Sequence, residues 1–231
     1  VFILAIAGIG LMILSGYTGL ASLGHAAFLG VGAYTHAFLL TNGIPFYYSI
    51  IIAVVVSFFV GAAIGFPILR LTGMYLAIAT LAFGFIAEHV FIRWEHFTGG
   101  NRGMVVPTPE FAGISFYDSS TFYYVCLISL IVSMFAAINI LRSPTGRAFV
   151  AIRDSEIAAQ SLGVNIARYK ALSFAISAGF TGLAGALLAH YIGYLAPDIF
   201  NIFLSLTLLL LIVVGGMGSL HGTIYGAIFV G

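Results

Sequence analysis

Long, unbroken runs of apolar residues alternate with short polar connectors along the chain. The runs cover residues 1–14, 23–40, 49–69, 74–92, 121–141, 171–192, 202–214 and 220–231. About 20 apolar residues cross the hydrocarbon core of a bilayer as a helix. Membrane-spanning strands are shorter and alternate apolar with polar residues, which these runs do not. The pattern predicts an all-α, polytopic transmembrane helical bundle of about seven to eight spans, forming one domain over residues 1–231.

Two glycine-rich segments interrupt the apolar runs, at residues 16–32 and 215–226. Each combines a helix-breaking stretch with a Ser-Leu pair and a histidine. In transporters, broken helices at corresponding positions indicate the transport path, because the freed backbone groups face a cavity. Close helix packing at the glycines is the alternative. The candidate path residues are Ser22, Gly24, His25, Ser219 and His221.

Small residues recur at a spacing of four inside the runs, which predicts close packing of helix backbones. The rows are Ser57, Gly61 and Gly65; Ala171, Ala175 and Gly179; and Gly222 and Gly226.

Composition supports a membrane protein. The chain has 231 residues, of which 61% are hydrophobic and 6% are charged, whereas soluble proteins average about 25% charged residues. Cys126 is the only cysteine and lies inside an apolar run, so it is expected to be a small buried side chain without a disulfide. The net charge of +1 carries no information about nucleic acid, and no nucleic-acid partner is expected. We expect the sequence to be a piece of a longer chain, so residues 1–14 are not interpreted as a signal peptide.

Basic residues predict the orientation. Connector 142–170 carries five of the eight Lys and Arg residues, and Arg70 lies on the same side. The positive-inside rule makes that side cytoplasmic. Connectors 41–48, 93–120 and 193–201 are then expected to face outward.

Connector 142–170 also carries helix signals. Ser143 and Pro144 predict one helix start, with the serine as cap, and Asp154 or Ser155 predicts a second. Gly163 and Asn165 are suited to end that second helix. The result is a short helix outside the membrane with an apolar ridge, formed by Ile157 and Leu162, and with Arg153 at its edge. A simple linker needs neither caps nor a ridge, whereas a helix that docks a cytoplasmic partner needs both.

Residues 156–163, EIAAQSLG, resemble the E-x-A-A-x-x-x-G cytoplasmic loop of bacterial ABC importer permeases. The chain also resembles, in order, LivM-type permeases of branched-chain amino acid importers. The similar segments are SGYTGLASLGHAAFLGVGAY, YLAIATLAFGFI, TGGNRG, GRAFVAIRDSEIAAQSLGVN and VVGGMGSLHGTIYGA. One departure is Phe85, where relatives often carry an acidic residue; Glu88 is close by.

The resemblance implies a transport subunit in a bacterial or archaeal inner or plasma membrane, with no enzymatic activity and no cofactor. It implies a second permease subunit, two ATP-binding subunits and a periplasmic or extracellular solute-binding protein as partners. No G-x-x-x-x-G-K-[ST] motif for nucleotide phosphates occurs in the chain. The solute stays open between leucine, isoleucine or valine and urea, short amides or aromatic acids. The implied ATPase-coupling residues are Arg153, Asp154, Glu156, Ile157, Ala158, Ala159, Leu162 and Gly163.

Ionisable residues inside the spans are functional candidates. Glu88 is the only acidic residue within a predicted span, near its outer end. It is a candidate for the transport path, with an interfacial position or an ion pair as the alternative. The rings of His36, His96 and His190 are expected to bond backbone carbonyls. A metal site is not predicted, because Glu88-His89 has no second ligand at helical spacing.

Two other functions fit a helical membrane protein. An ion-coupled secondary transporter or a channel would need buried carboxylates or an ion site in mid-membrane, and the scarcity of acidic residues argues against it. An intramembrane enzyme would need a paired set of catalytic groups, and the sequence offers none.

Overall fold

The fold was analysed in a computed structural model that describes residues 1–68, 71, 73–107, 110–111, 114–115 and 119–231. In chain order, its helices are α1 (Phe2–Leu11), α2 (His25–Thr41), α3 (Phe46–Ile68), α4 (Met74–Arg93), α5 (Glu95–Thr98), α6 (Ser119–Arg142), α7 (Pro144–Asp154), α8 (Glu156–Ser161), α9 (Ile166–Ile192), α10 (Ile202–Gly215) and α11 (Leu220–Val230). A π-helical turn, Met12–Tyr17, extends α1, and 3-10 turns lie at Gly100–Arg102 and Pro197–Phe200. The strands are β1 (Met104–Val105), β2 (Glu110–Phe111), β3 (Ile114–Ser115) and β4 (Tyr194–Leu195).

The all-α bundle predicted from the apolar runs is confirmed, because each of the eight runs forms a helix. Four helices, within α3, α4, α6 and α9, are long and apolar enough to cross a membrane by length and composition. Residues 202–231 form two short helices, α10 and α11, which pack against each other. Gly215 and Gly222 bring their backbones together, since a Cβ at Gly222 would lie 2.1 Å from the Gly215 carbonyl oxygen.

The connectors expected to face outward lie at one end of the bundle. Strand β1 pairs with β4 in antiparallel register, which joins connectors 93–120 and 193–201. The Phe38 ring, near the end of α2, packs 4.8 Å from the Phe97 ring. Strands β2 and β3 form a separate antiparallel pair within connector 93–120. Arg70, which contributed to the predicted orientation, lies outside the described residues.

Helix α9 packs against α1, α2 and α3 through small residues, as the rows of spacing four predicted. A Cβ at Gly185 would lie 2.1 Å from the Leu29 carbonyl oxygen of α2, and a Cβ at Gly61 of α3 would lie 2.4 Å from the Ala178 Cβ. A Cβ at Gly182 would likewise overlap the Ser57 side chain of α3. The backbones of these helices therefore meet at distances that only glycine permits.

The contact at Gly185 predicts a strong dependence on side-chain size. We expect Gly185→Ala to destabilise the protein by about 1–3 kcal/mol, because the methyl group overlaps the backbone of α2. Gly179→Ala is the matched control on the same helix, since a Cβ there meets only ordinary contacts at 3.8 Å. Thermal unfolding of the detergent-purified variants measures both. Equal stability of the two would contradict the packing described here.

Candidate docking and gating site

The first glycine break is a short non-helical segment, residues 18–24, between the π-helical turn and α2. Its side chains bond carbonyls that the break leaves free. The Thr18 hydroxyl donates to the Ile13 carbonyl and the Ser15 hydroxyl donates to the Leu20 carbonyl, each at 3.0 Å. Serine and threonine commonly satisfy backbone groups where membrane helices are interrupted.

Neighbouring helices satisfy the amides of the break. The Leu23 amide donates to the Thr80 hydroxyl of α4, and the Ala26 amide donates to the Ser205 hydroxyl of α10, each at 3.0 Å. The break is therefore held by side chains that lie far away in sequence. No local sequence pattern could have predicted these hydrogen-bond partners.

His25 joins the break to two other helices. Its Nδ1 lies 2.9 Å from the Ser22 hydroxyl, and its Nε2 lies 2.7 Å from the Ser177 hydroxyl of α9. Ser177 donates its only proton to the Gly10 carbonyl at 2.7 Å, so His25 Nε2–H donates to Ser177 and Nδ1 accepts from Ser22. Both Ser22 and His25 are fully buried, and Gly24 contacts the Thr80 backbone. Their role in a transport path stays a prediction; in this arrangement, all three are in contact with protein.

The second break lies between α10 and α11 and meets the first. The Gly218 amide points at the Met12 sulfur at 3.2 Å, and a Cβ at Gly16 would lie 3.0 Å from the Gly218 nitrogen. Ser219 caps α11 with its hydroxyl. Ser219 and His221 are exposed, whereas Ser22, Gly24 and His25 are buried.

Helix α7 begins at Pro144, as predicted, but the expected cap is wrong. Ser143 stands at the cap position, yet its hydroxyl donates back to the Ile140 carbonyl of α6 at 2.6 Å, and the same carbonyl also accepts from the Ser143 amide at 3.2 Å. The buried side chains of Phe149 and Ile152 fix α7 against the bundle. Connector 142–170 is thus a packed helical segment rather than a loose loop.

Helix α8 follows after a single residue. Ser155 caps it by accepting from the Ala158 amide at 3.2 Å, which confirms the predicted second start. Gly163, at φ +83°, ends it. Asn165 was expected to end α8 as well; instead it starts α9, because its side chain accepts from the Arg168 amide.

The ridge predicted on this segment is exposed. Ile157 is 80% exposed and Leu162 is 83% exposed. Asp154, Ala158 and Gly163 are also exposed, whereas Ala159 is buried. Of the eight candidate coupling residues, six are therefore exposed, Glu156 is half-buried and Ala159 is buried.

Lys170 is a residue that sequence reasoning left without a role. It is 2% exposed, and its Nζ lies 2.6 Å from Glu156 Oε1. The pair ties the start of α8 to the base of α9. The sequence did contain one indication of this ion pair. Lys170 lies at the very edge of an apolar run, where a buried charge needs a partner.

Arg153 does not extend the exposed ridge. Its Nη1 donates to the Gly16 carbonyl at 3.0 Å, and its Nε and Nη2 lie 3.3 Å from Asp154 Oδ1. The side chain therefore points from the end of α7 toward the first glycine break.

Glu88 borders a narrow crevice between α4, the first break and the start of α10. Other residues that line it include Leu23, Asn201 and Ser205. The crevice has room for about one water molecule in this arrangement. Within the described residues, the Glu88 carboxylate has no hydrogen bond or ion pair.

His36, which is buried, and His190, which is half-buried, bond side chains, which corrects the bonds to carbonyls expected for both. Ser49 donates to the Phe46 carbonyl at 2.8 Å, so it accepts from His36 Nδ1–H, also at 2.8 Å. His36 Nε2 then accepts from His190 Nε2–H at 2.7 Å. Hydroxyl and imidazole partners supply these bonds because α2, α3 and α9 pack closely.

The buried end of the Lys170–Glu156 pair predicts an asymmetric response. We expect Glu156→Gln to lower the free energy of unfolding by about 1–3 kcal/mol because it leaves the ammonium of Lys170 buried without a countercharge. The cost is below that of a fully buried pair because the Glu156 side chain is 40% exposed.

Adding Lys170→Met should recover most of the loss, since no unpaired charge remains. Asp154→Asn is the control because its ion pair is exposed and contributes little. Thermal unfolding in detergent measures the stability of all three variants. A double variant as unstable as Glu156→Gln alone would contradict the pairing of Lys170 with Glu156.

Similarity to a known protein family extends over the whole chain. The family described as branched-chain amino acid transport system / permease component matches residues 1–231. The high-affinity branched-chain amino acid transport system permease proteins LivM of Salmonella typhimurium and Escherichia coli are each 38% identical over 96% of this chain and 58% of their own length. The autoinducer 2 import system permease protein LsrC of Salmonella typhi is 25% identical over 78% of the chain. No solved structure matches.

The chain thus spans less than two thirds of the LivM relatives. The family match nonetheless extends over residues 1–231, and the fold is the helical bundle expected of a permease. The chain belongs to the family of permease components of branched-chain amino acid transport systems.

Proposed function

We propose that this chain is the membrane permease subunit of an ATP-binding-cassette importer in the inner membrane, which moves branched-chain amino acids or related small polar solutes. ATP is hydrolysed by two separate subunits. A second permease subunit completes the membrane part, and an outer binding protein delivers the solute. The proposal rests on the family match and on the names of the relatives.

One observation carries the docking part of the proposal: two apolar side chains, Ile157 in α8 and Leu162 directly after it, are largely exposed on a segment that is otherwise fixed. Ile157 and Leu162 are the most exposed large apolar side chains in the chain's charged segment. Exposed apolar groups rimmed by polar ones indicate a protein interface. The N-terminal cap at Ser155 and the Lys170–Glu156 pair make α8 stiff enough to transmit force.

Transport requires two arrangements of the bundle, one open inward and one open outward, whose populations shift with nucleotide. An ATPase subunit seated on α8 supplies the differential contact. Because α8 joins α7 through Ser155 alone, its displacement reaches the bundle through α7 and α9.

Loss of the ridge should uncouple transport. We expect Ile157→Asp with Leu162→Asp to reduce ATP-driven uptake at least about tenfold, because charged groups replace the apolar anchors of the interface. The ATPase subunits should no longer copurify with the variant. Val105→Asp is the control, since Val105 is 69% exposed at the opposite end of the bundle. Wild-type uptake by the ridge variant would refute the docking role.

We also propose that the solute path passes Glu88. An unpaired carboxylate within a membrane span is costly, so such a group usually serves a pathway. The first break and the start of α10 meet Glu88 at the crevice, and path sites form at interrupted helices near mid-membrane. Opening of the crevice during transport would let the ammonium group of an amino acid reach the carboxylate. Ser22, Gly24, His25, Ser219 and His221 support the two breaks from either side.

The carboxylate is expected to act on solute affinity. Glu88→Gln should raise the KM for uptake about 10- to 100-fold, because a hydrogen bond to a charged group contributes about 1.5–3 kcal/mol. Glu95→Gln, at an exposed position just beyond α4, is the matched control. Uptake kinetics in membrane vesicles measure both, and an unchanged KM for Glu88→Gln would exclude this path while leaving the importer function standing.

A further inference from the structure

Arg153 makes a hydrogen bond between the cytoplasmic segment and the end of the first membrane helix. Its Nη1 donates to the Gly16 carbonyl at 3.0 Å, across 137 positions of sequence. The last carbonyls of a helix lack partners within it and form the negative end of its dipole. An arginine is therefore a favourable partner at this position.

The Arg153 side chain also lies against both glycine breaks. A Cβ at Gly19 would lie 3.0 Å from Arg153 Cγ, and a Cβ at Gly218 would lie 3.8 Å from its Nη1. Gly19 has φ +75° and Gly218 has φ +96°, so both turns depend on glycine. Tyr17 lies beside Arg153 and the Leu220 backbone. Arg153 thus occupies the place where the two interrupted helices meet.

The position of Arg153 in the chain connects this contact to the docking surface. It stands in the last turn of α7, three residues before α8 begins. The π-helical turn that ends at Tyr17 is an unusual structure that recurs at functional sites. A shift of α8 that is passed to α7 would move the guanidinium relative to the Gly16 carbonyl.

We propose that Arg153 is a positioning residue that couples movement of the docking segment to the two glycine breaks. Its bond to Gly16 holds the breaks together in one arrangement of the bundle and is released in the other. This inference rests on the proposed importer function. It assigns Arg153 to the membrane side of the segment, rather than to the ATPase-facing ridge.

The test uses the intact transporter with its ATPase subunits and binding protein. For Arg153→Ala, we expect normal copurification of the ATPase subunits and at least about tenfold less uptake, since a charge-assisted bond is lost. Solute-loaded binding protein should no longer stimulate ATP hydrolysis. Arg147→Ala and Arg168→Ala remove exposed arginines of the same segment and should keep both activities.

A second readout follows the break itself. Met217, which is 65% exposed beside Gly218, is replaced by cysteine in a Cys126→Ala background. With Arg153 present, the labelling rate of the thiol in the Met217→Cys variant should differ between the nucleotide-free complex and the complex with a non-hydrolysable ATP analogue. With Arg153→Ala, the two rates should be equal. A purely structural role would leave this difference intact.

Three results are decisive. Undiminished uptake by Arg153→Ala, or a labelling difference that persists in it, overturns the coupling role. If Arg153→Ala does not assemble, Arg153→Gln, which keeps a donor without the charge, is judged by the same two criteria. If ATPase subunits fail to copurify with the unaltered permease, the importer function fails instead, so the two failures are distinguishable.

Discussion

A bilayer core offers no water to bind a backbone amide or carbonyl, so each interruption of a helix in this chain must be satisfied by the protein itself. The first break meets that condition with hydroxyls from its own residues and from Thr80 and Ser205 on other helices. His25 adds a link to α9 and α1 through Ser177. Non-helical backbone therefore persists inside the bundle only because several helices converge on it.

That convergence depends on close backbone contact. Glycines such as Gly185 and Gly61 let α9 approach α2 and α3 to distances that a methyl group would prevent. Without a hydrophobic drive between helices in lipid, such packing and the hydrogen bonds across it hold a bundle together. In the proposed transport cycle, a bundle packed this tightly would change between discrete arrangements rather than deform gradually.

Charged residues are sparse in this chain, and three of them occupy positions that call for a structural explanation. Lys170 is buried and paired with Glu156, which fixes α8 on the base of α9. Arg153 uses its charge on a helix-end carbonyl. Glu88 borders a crevice without a partner among the described residues. Two of these charges therefore brace segment 142–170, and the third is the one that the proposed solute path uses.

The sequence by itself determined the helices, the positions of both breaks, the small-residue contacts, the start of α8 and the exposed ridge at Ile157 and Leu162. These features follow from apolar length, from glycine and from local capping, which act over a few residues. Only the tertiary structure decided that Ser143 turns back to α6, that His36 bonds His190, that Lys170 pairs with Glu156 and that Arg153 reaches Gly16. The three last contacts join residues on different helices, and the Ser143 hydroxyl had two backbone partners within reach; packing of the helices, which no local pattern encodes, selected the partner in each.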